Sequence, residues 1–183
     1  MTPSAPHDYD PDDNFAHSFH AGEEIDEEAA LEALVWQWLL LVNPGDEDAA
    51  AQQLASWQEL HAGGDGTALA DQLLEVTDWK AGFRVAEDDG AGLVEVIDEL
   101  AARWNLAIDW GVEDPTDASS LDALAPEDLA ATAFDRLRED GYTLWLTDAG
   151  FGGLAGWIAL RRDDEAMRIL ASALEIDLRL AGA

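Results

Sequence analysis

The chain contains no cysteine. Disulfides, thiolate metal sites and thiol nucleophiles are therefore excluded. Basic residues are also scarce. Nine Lys and Arg stand against forty Asp and Glu, a formal net charge of −31 in 183 residues, and Lys80 is the only lysine. This balance argues against direct nucleic-acid binding and against adsorption to an anionic membrane. Long apolar runs are missing too. The longest, ALVWQWLLLV (33–42), is about half a membrane span and is broken by Gln37. The opening MTPSAPHDYDPDDNFAHSFH has no basic start followed by an apolar stretch. No Sec signal is read, and a cytoplasmic location is expected. No G-x-S-x-G is present, and the glycines of DAGFGGLAG (148–156) do not match a phosphate-binding loop.

What the chain does have is core material. Hydrophobic residues make up 48%, with eight Trp among them, which is enough to bury a real interior. The length suits one domain. The acidity favours cationic partners: a basic protein surface, a metal ion or a polyamine. It also serves solubility alone, and scarce lysine suits life in high salt.

Residues 1–22 lack periodicity and read as a mobile acidic tail. His7, His17 and His20 lie there among Asp8, Asp10, Asp12 and Asp13, an arrangement that could meet one metal if a turn of helix held it. The remaining 23–183 read as a single domain, mainly helical over 23–78 and strand/helix over 79–183. Leu31, Leu34, Val35, Trp38 and Val42 form a helical stripe in a helix expected from Glu23. Glu23, Glu24, Asp26, Glu27 and Glu28 would sit at its start and favour its dipole. NPGD (43–46) ends that helix and caps a second, with Ala50, Leu54, Trp57 and His61 on one face. A third carries Leu69, Leu73 and Val76. Beyond Trp79 the pattern predicts a strand over 82–87, a helix over 92–104 and a strand over 106–110. It continues with a helix over 125–141, strands over 142–148 and 156–162, a helix over 163–175 and a last strand over 176–180. The order strand, Asp-Asp, helix, strand occurs twice, which would fit two βαβ-like halves in a ferredoxin-like sheet. The expected class is α+β: a helical N-terminal layer packed on a small mixed or antiparallel sheet with further helices.

DWK (78–80), IDWG (108–111), DRLREDGYTLWLTD (135–148) and GWIALRRDDEAM (156–167) together resemble a family of uncharacterised bacterial proteins known only as a domain of unknown function. The resemblance runs over about 31–179. It implies a bacterial cytoplasmic protein with one domain beyond the tail, and it implies no activity or cofactor.

The stretch NLAIDWGVEDPTDASSLDAL (105–124) carries Asp109, Glu113, Asp114, Asp117 and Asp122 without a Lys or Arg between them. Its spacing is not that of an EF-hand, and its Asp and Ser are turn and cap residues, so a solvated loop is expected ahead of a calcium or magnesium site. Asp78-Trp79 and Asp109-Trp110 each set a carboxylate beside a large aromatic. Burial there would raise a carboxylate toward a general acid, and two such acids would form a pair as in glycoside hydrolysis. The simpler expectation puts each Trp in the core and each Asp in water. Glu24/Glu27 and Glu95/Asp98 have the helical spacing of magnesium-binding pairs but lie too far apart in sequence. His61 near Glu59 and Asp65 reads as a capping or packing histidine. Arg136, Arg138, Arg161, Arg162 and Arg168 are expected to pair with Asp135, Glu139, Asp163 and Asp164, with an anion pocket as the alternative.

The leading functional expectation is a non-enzymatic acidic module that engages a basic protein surface, as inhibitors, immunity proteins and nucleic-acid mimics do. Asp109, Glu113, Asp114 and Asp117 are the expected contacts, with Glu87, Asp88 and Asp89 beside them. The alternatives are a metal-assisted hydrolase using Asp78 and Asp109, and a structural or solubility role. No cofactor is expected, and nothing in the pattern specifies an oligomeric state.

Overall fold

The computed structural model describes residues 16–64, 66–148 and 152–182. The chain divides into two units, residues 1–33 and 34–183. In the first, residues 16–33 are helical and form the opening part of α1 (Ala16–Val42). The helix is described from Ala16 on and so includes residues ahead of Glu23. Glu23, Glu24, Asp26, Glu27 and Glu28 therefore fall inside it, not in the first turn where the dipole would favour them. The tail expected over 1–22 overlaps this helix from Ala16 on. Residues 1–15, His7 included, and the side chains of His17 and His20 lie outside the described residues.

The second unit opens with the last part of α1, where Val35, Trp38, Leu39 and Val42 are fully buried. Asp46 then caps α2 (Glu47–Ala62): its side chain accepts the Ala49 N–H at 3.0 Å. Next come α3 (Leu69–Thr77), β1 (Gly82–Ala86), α4 (Gly90–Ala102), the single turn α5 (Ala118–Leu121) and α6 (Pro126–Glu139). Pro126 opens α6, Glu127 and Asp128 occupy its first turn, and Arg136 and Arg138 its last, so both ends suit the dipole. The chain closes with β2 (Tyr142–Asp148), β3 (Gly153–Leu160), a 3₁₀ turn, α7 (Asp164–Ala173) and β4 (Leu178–Leu180).

The four strands form one sheet in the order β1-β3-β2-β4, and all neighbours are antiparallel. The fold is α+β, as the pattern predicted. The ferredoxin-like reading does not hold: α4 is followed by α5 and α6 before the next strand, so there are no two βαβ halves. The LAIDW stretch explains the error. Leu106 and Ile108 do pack against the core between exposed residues, but no strand pairs with them. Alternation reports one-sided burial, whereas a strand also needs a backbone neighbour to pair with, and 106–110 pairs with neither edge strand, β1 or β4. The predicted strand at 156–162 is shifted as well. Pairing begins at Gly153 and ends at Leu160, and Arg161 and Arg162 enter the 3₁₀ turn.

Strand alternation splits the core into two layers. Phe83, Val85, Leu144, Leu146, Leu154 and Ile158 face one way and pack with Leu93, Val96, Ile97 and Leu100 of α4 and Leu129, Ala133 and Leu137 of α6. Trp145 and Trp157 face the other way. Trp157 meets Trp38 edge-on with ring centroids 5.0 Å apart, and its indole N–H donates to Thr77 Oγ1 at 3.0 Å. The Arg168 guanidinium lies 5.3 Å from the Trp145 ring centre. Opposite Leu146, Gly156 has no alternative: a Cβ there would collide with the Trp145 carbonyl in the paired strand.

Candidate functional site

Two acidic stretches far apart in sequence meet at the N-terminus of α4. Asp89 is its N-cap and accepts the Gly92 N–H at 2.7 Å. Asp122, from beyond α5, accepts the next free N–H, that of Ala91, at 3.0 Å. Gly90 makes the approach possible, since a Cβ there would stand 2.5 Å from the Leu121 carbonyl oxygen. Glu87, Asp88 and Asp89 are thereby tied to the loop that carries Glu113, Asp114 and Asp117.

Between α4 and this loop runs a groove of about 500 Å³. Ala91, Val94, Pro115, Ala118 and Leu121 contribute its apolar surface. Glu95, Asp98 and Glu99 supply its carboxylates, and no Lys or Arg lines it. The Trp110 indole N–H is shared between the two Asp98 oxygens at 3.1 and 3.2 Å. Partial burial pushes the Asp98 carboxyl above the ordinary aspartate value, and the Trp110 hydrogen bond opposes the shift. Glu87 also lines a second hollow at the end of the sheet, with Glu127, Asp148, Asp177 and Arg179.

The expected contact residues divide by what they do locally. Asp109 accepts the Gly111 N–H at 3.0 Å, and its carboxylate lies 3.8 Å from the Arg136 guanidinium. Asp114 accepts both the hydroxyl and the N–H of Thr116, at 2.7 and 2.9 Å, and these bonds hold its carboxyl below the usual range, the hydroxyl first. Asp117 caps α5 through the Ser119 N–H and the Ser120 hydroxyl. Asp89 caps α4. Glu113, Glu87 and Asp88 make no internal hydrogen bond or ion pair among the described residues and are exposed.

Of the lining carboxylates, Glu95 and Asp98 match the E-x-x-D pair noted in the sequence, whereas Glu99 was not singled out. Their signal was present: they fall at i, i+3 and i+4, on the polar side of a helix whose Leu93, Val96, Ile97 and Leu100 are buried. Glu99 even has Arg103 at i+4, the spacing of a helical ion pair. Arg103 instead donates to Asn43 Oδ1 at 3.1 Å.

The two Asp-Trp pairs are not equivalent. Trp110 is buried and Asp109 exposed, as the simpler expectation had it. At the other pair the arrangement is reversed: Trp79 is 44% exposed, with a left-handed backbone (φ 56°), while Asp78 is partly buried and lies 3.4 Å from Arg84. Trp79 leaves the core because 78–81 is a tight turn, in which strand alternation does not apply. Asp78 and Asp109 thus lie beside different arginines, Arg84 and Arg136. Among the described residues no group of three His, Asp or Glu is placed to hold a metal.

His61 stacks on Trp57 with centroids 4.7 Å apart, and its Nδ1 lies 3.1 Å from Gln72 Oε1, which is a packing role. Arg138 and Asp164 form an ion pair at 2.5 Å, and Thr143 donates to the same carboxylate at 2.6 Å. Arg136 pairs with Glu139, Arg162 with Asp163 and Arg168 with Glu165.

The chain belongs to the family described as a domain of unknown function, DUF6630, whose model matches residues 34–181, starting where the second unit starts. No curated protein and no solved structure matches the chain.

Proposed function

We propose that this protein is a non-enzymatic binding module whose acidic face engages a basic protein surface. The observation that carries this reading is the joining of 87–89 and 113–122 at the N-terminus of α4, beside a groove that no Lys or Arg lines. Carboxylates gathered on one face of a chain with net charge −31 produce a field that accelerates encounter with a basic partner. The apolar part of the groove offers a pocket for an anchoring side chain, which charge alone would not supply.

The test uses the full tagged chain to capture partners from a native lysate, then measures the captured partner's affinity across a salt series. The partner should be basic, and its affinity should fall as salt rises. Changing Glu87, Asp88 and Glu99 together to Lys should weaken binding at least about tenfold. These three hold no backbone group, so the fold is left alone. Equal affinity for the triple variant, or an acidic partner, would reject the reading.

A further inference from the structure

A hollow of about 260 Å³ opens beside the turn between α1 and α2, lined by Asp46, Gln52, Gln53, Ser56, Lys80 and Arg103 among others. Two of the nine basic residues of the chain meet there, against one carboxylate. Lys80 is exposed and has no ion pair among the described residues. Among the described residues the Arg103 side chain makes one hydrogen bond, and its guanidinium lies 5.3 Å from the Trp104 ring centre. Its Nη2 donates to Asn43 Oδ1 at 3.1 Å, and Asn43 is fixed in turn by Leu39 and Gln53. Its other terminal nitrogen, Nη1, is buried and has no acceptor. A charged donor in that state carries its full desolvation cost without return, which points to an acceptor from outside the chain. The Asp46 carboxylate does not supply it: it caps α2 through the Ala49 N–H. Burial lowers the Arg103 pKa and nearby Asp46 opposes this, in keeping with a guanidinium short of counter-charge.

We infer that this hollow binds a small oxyanion, a carboxylate or phosphate group, between Arg103 Nη1 and Lys80 Nζ. The Gln52 side-chain amide, which has no internal partner among the described residues, adds a neutral donor. Nη1 is covered, so the anion needs a small side-chain adjustment to reach it, which the unbranched Lys80 and Gln52 allow. The size of the hollow suits a small ion or the anionic end of a small molecule. A polyanion is excluded because the field of the whole chain repels it.

The experiment is an NMR titration of the ¹⁵N-labelled full chain with inorganic phosphate and, separately, with acetate, at matched ionic strength in chloride. Saturable shifts are expected at Gln52, Gln53 and the Arg103 side chain, with a Kd of about 1 mM or tighter. Saturation by phosphate alone, by acetate alone or by both supports the site and identifies its ligand class. Lys80→Ala and Gln52→Glu should each weaken binding at least about tenfold with an unchanged Tm. Gln52→Glu is the decisive variant, because Arg103 ties α4 to the α1–α2 turn and its replacement risks the fold. Shifts that grow without saturation for both anions, or an unchanged Kd in both variants, would overturn the site. The acidic face takes no part in this hollow, so either proposal can fail alone.

Discussion

Carboxylates lie along α4 in two stretches that behave differently. At its N-terminal end, Asp89 and Asp122 are committed to the backbone and accept the Gly92 and Ala91 N–H groups that no helical carbonyl reaches. A turn or two further on, Glu95, Asp98 and Glu99 meet no such donor, because mid-helix N–H groups already bond to carbonyls four residues back. Asp98 finds only the Trp110 indole, and Glu95 and Glu99 have no internal hydrogen bond or ion pair among the described residues. The first set holds the structure together. The second is charge that holds no backbone group and faces a groove.

The strongest way to break this contrast is to separate the two stretches. Gly90→Ala forces a Cβ against the Leu121 carbonyl and should cost about 1–3 kcal/mol in urea unfolding, since backbone on both sides must shift. Faster amide exchange at Ala91 should accompany it. Removing a committed carboxylate is next in size: Asp89→Ala or Asp122→Ala should each cost about 0.5–2 kcal/mol as a lost cap. Glu95→Gln and Glu99→Gln should stay within about 0.5 kcal/mol of the parent. Equal losses in all four variants would end the distinction.

Asp98 sharpens the comparison through pH. Its folded pKa is raised, so the stability it contributes is fully present below the unfolded value, about 3.9, and is lost as pH rises through the folded value. Asp98→Asn keeps an oxygen for Trp110 and carries no such loss. It should match the parent in acid and exceed it in Tm at neutral pH, with the gap opening across that window. The smallest effect concerns Asp114, which is fully exposed. Thr116→Ala should let its carboxyl rise toward the ordinary aspartate value, as read by NMR titration, with little change in Tm.

Several elements were legible because their signals are local. Asp46 before α2, Pro126 at the start of α6 and the buried stripe of α4 each announce a helix from within a few residues. The β2–β3 hairpin follows from two apolar runs around glycines. The misreadings needed distant information. LAIDW alternates like a strand, but its pairing depends on whether the fold brings it alongside a sheet edge. Trp79 and Trp110 follow aspartates in the same way, yet one lies in a turn and the other in the core. At the site, Glu87, Asp88 and Glu113 were legible as charge. Glu95, Asp98 and Glu99 were legible as a helical stripe, but the groove beside them was not.

By itself, the sequence determined the net charge and most of the helices. Net charge is a sum over residues and needs no coordinates, and caps and periodicity act within a turn or two. Only the tertiary structure decided which carboxylates remain free and that 87–89 and 113–122 meet at the N-terminus of α4. That decision rests on the Ala91 N–H bond to Asp122, thirty-one residues away, and on the passage of Leu121 over a glycine. Contacts of such separation depend on how the whole chain packs, and no window along the sequence contains them.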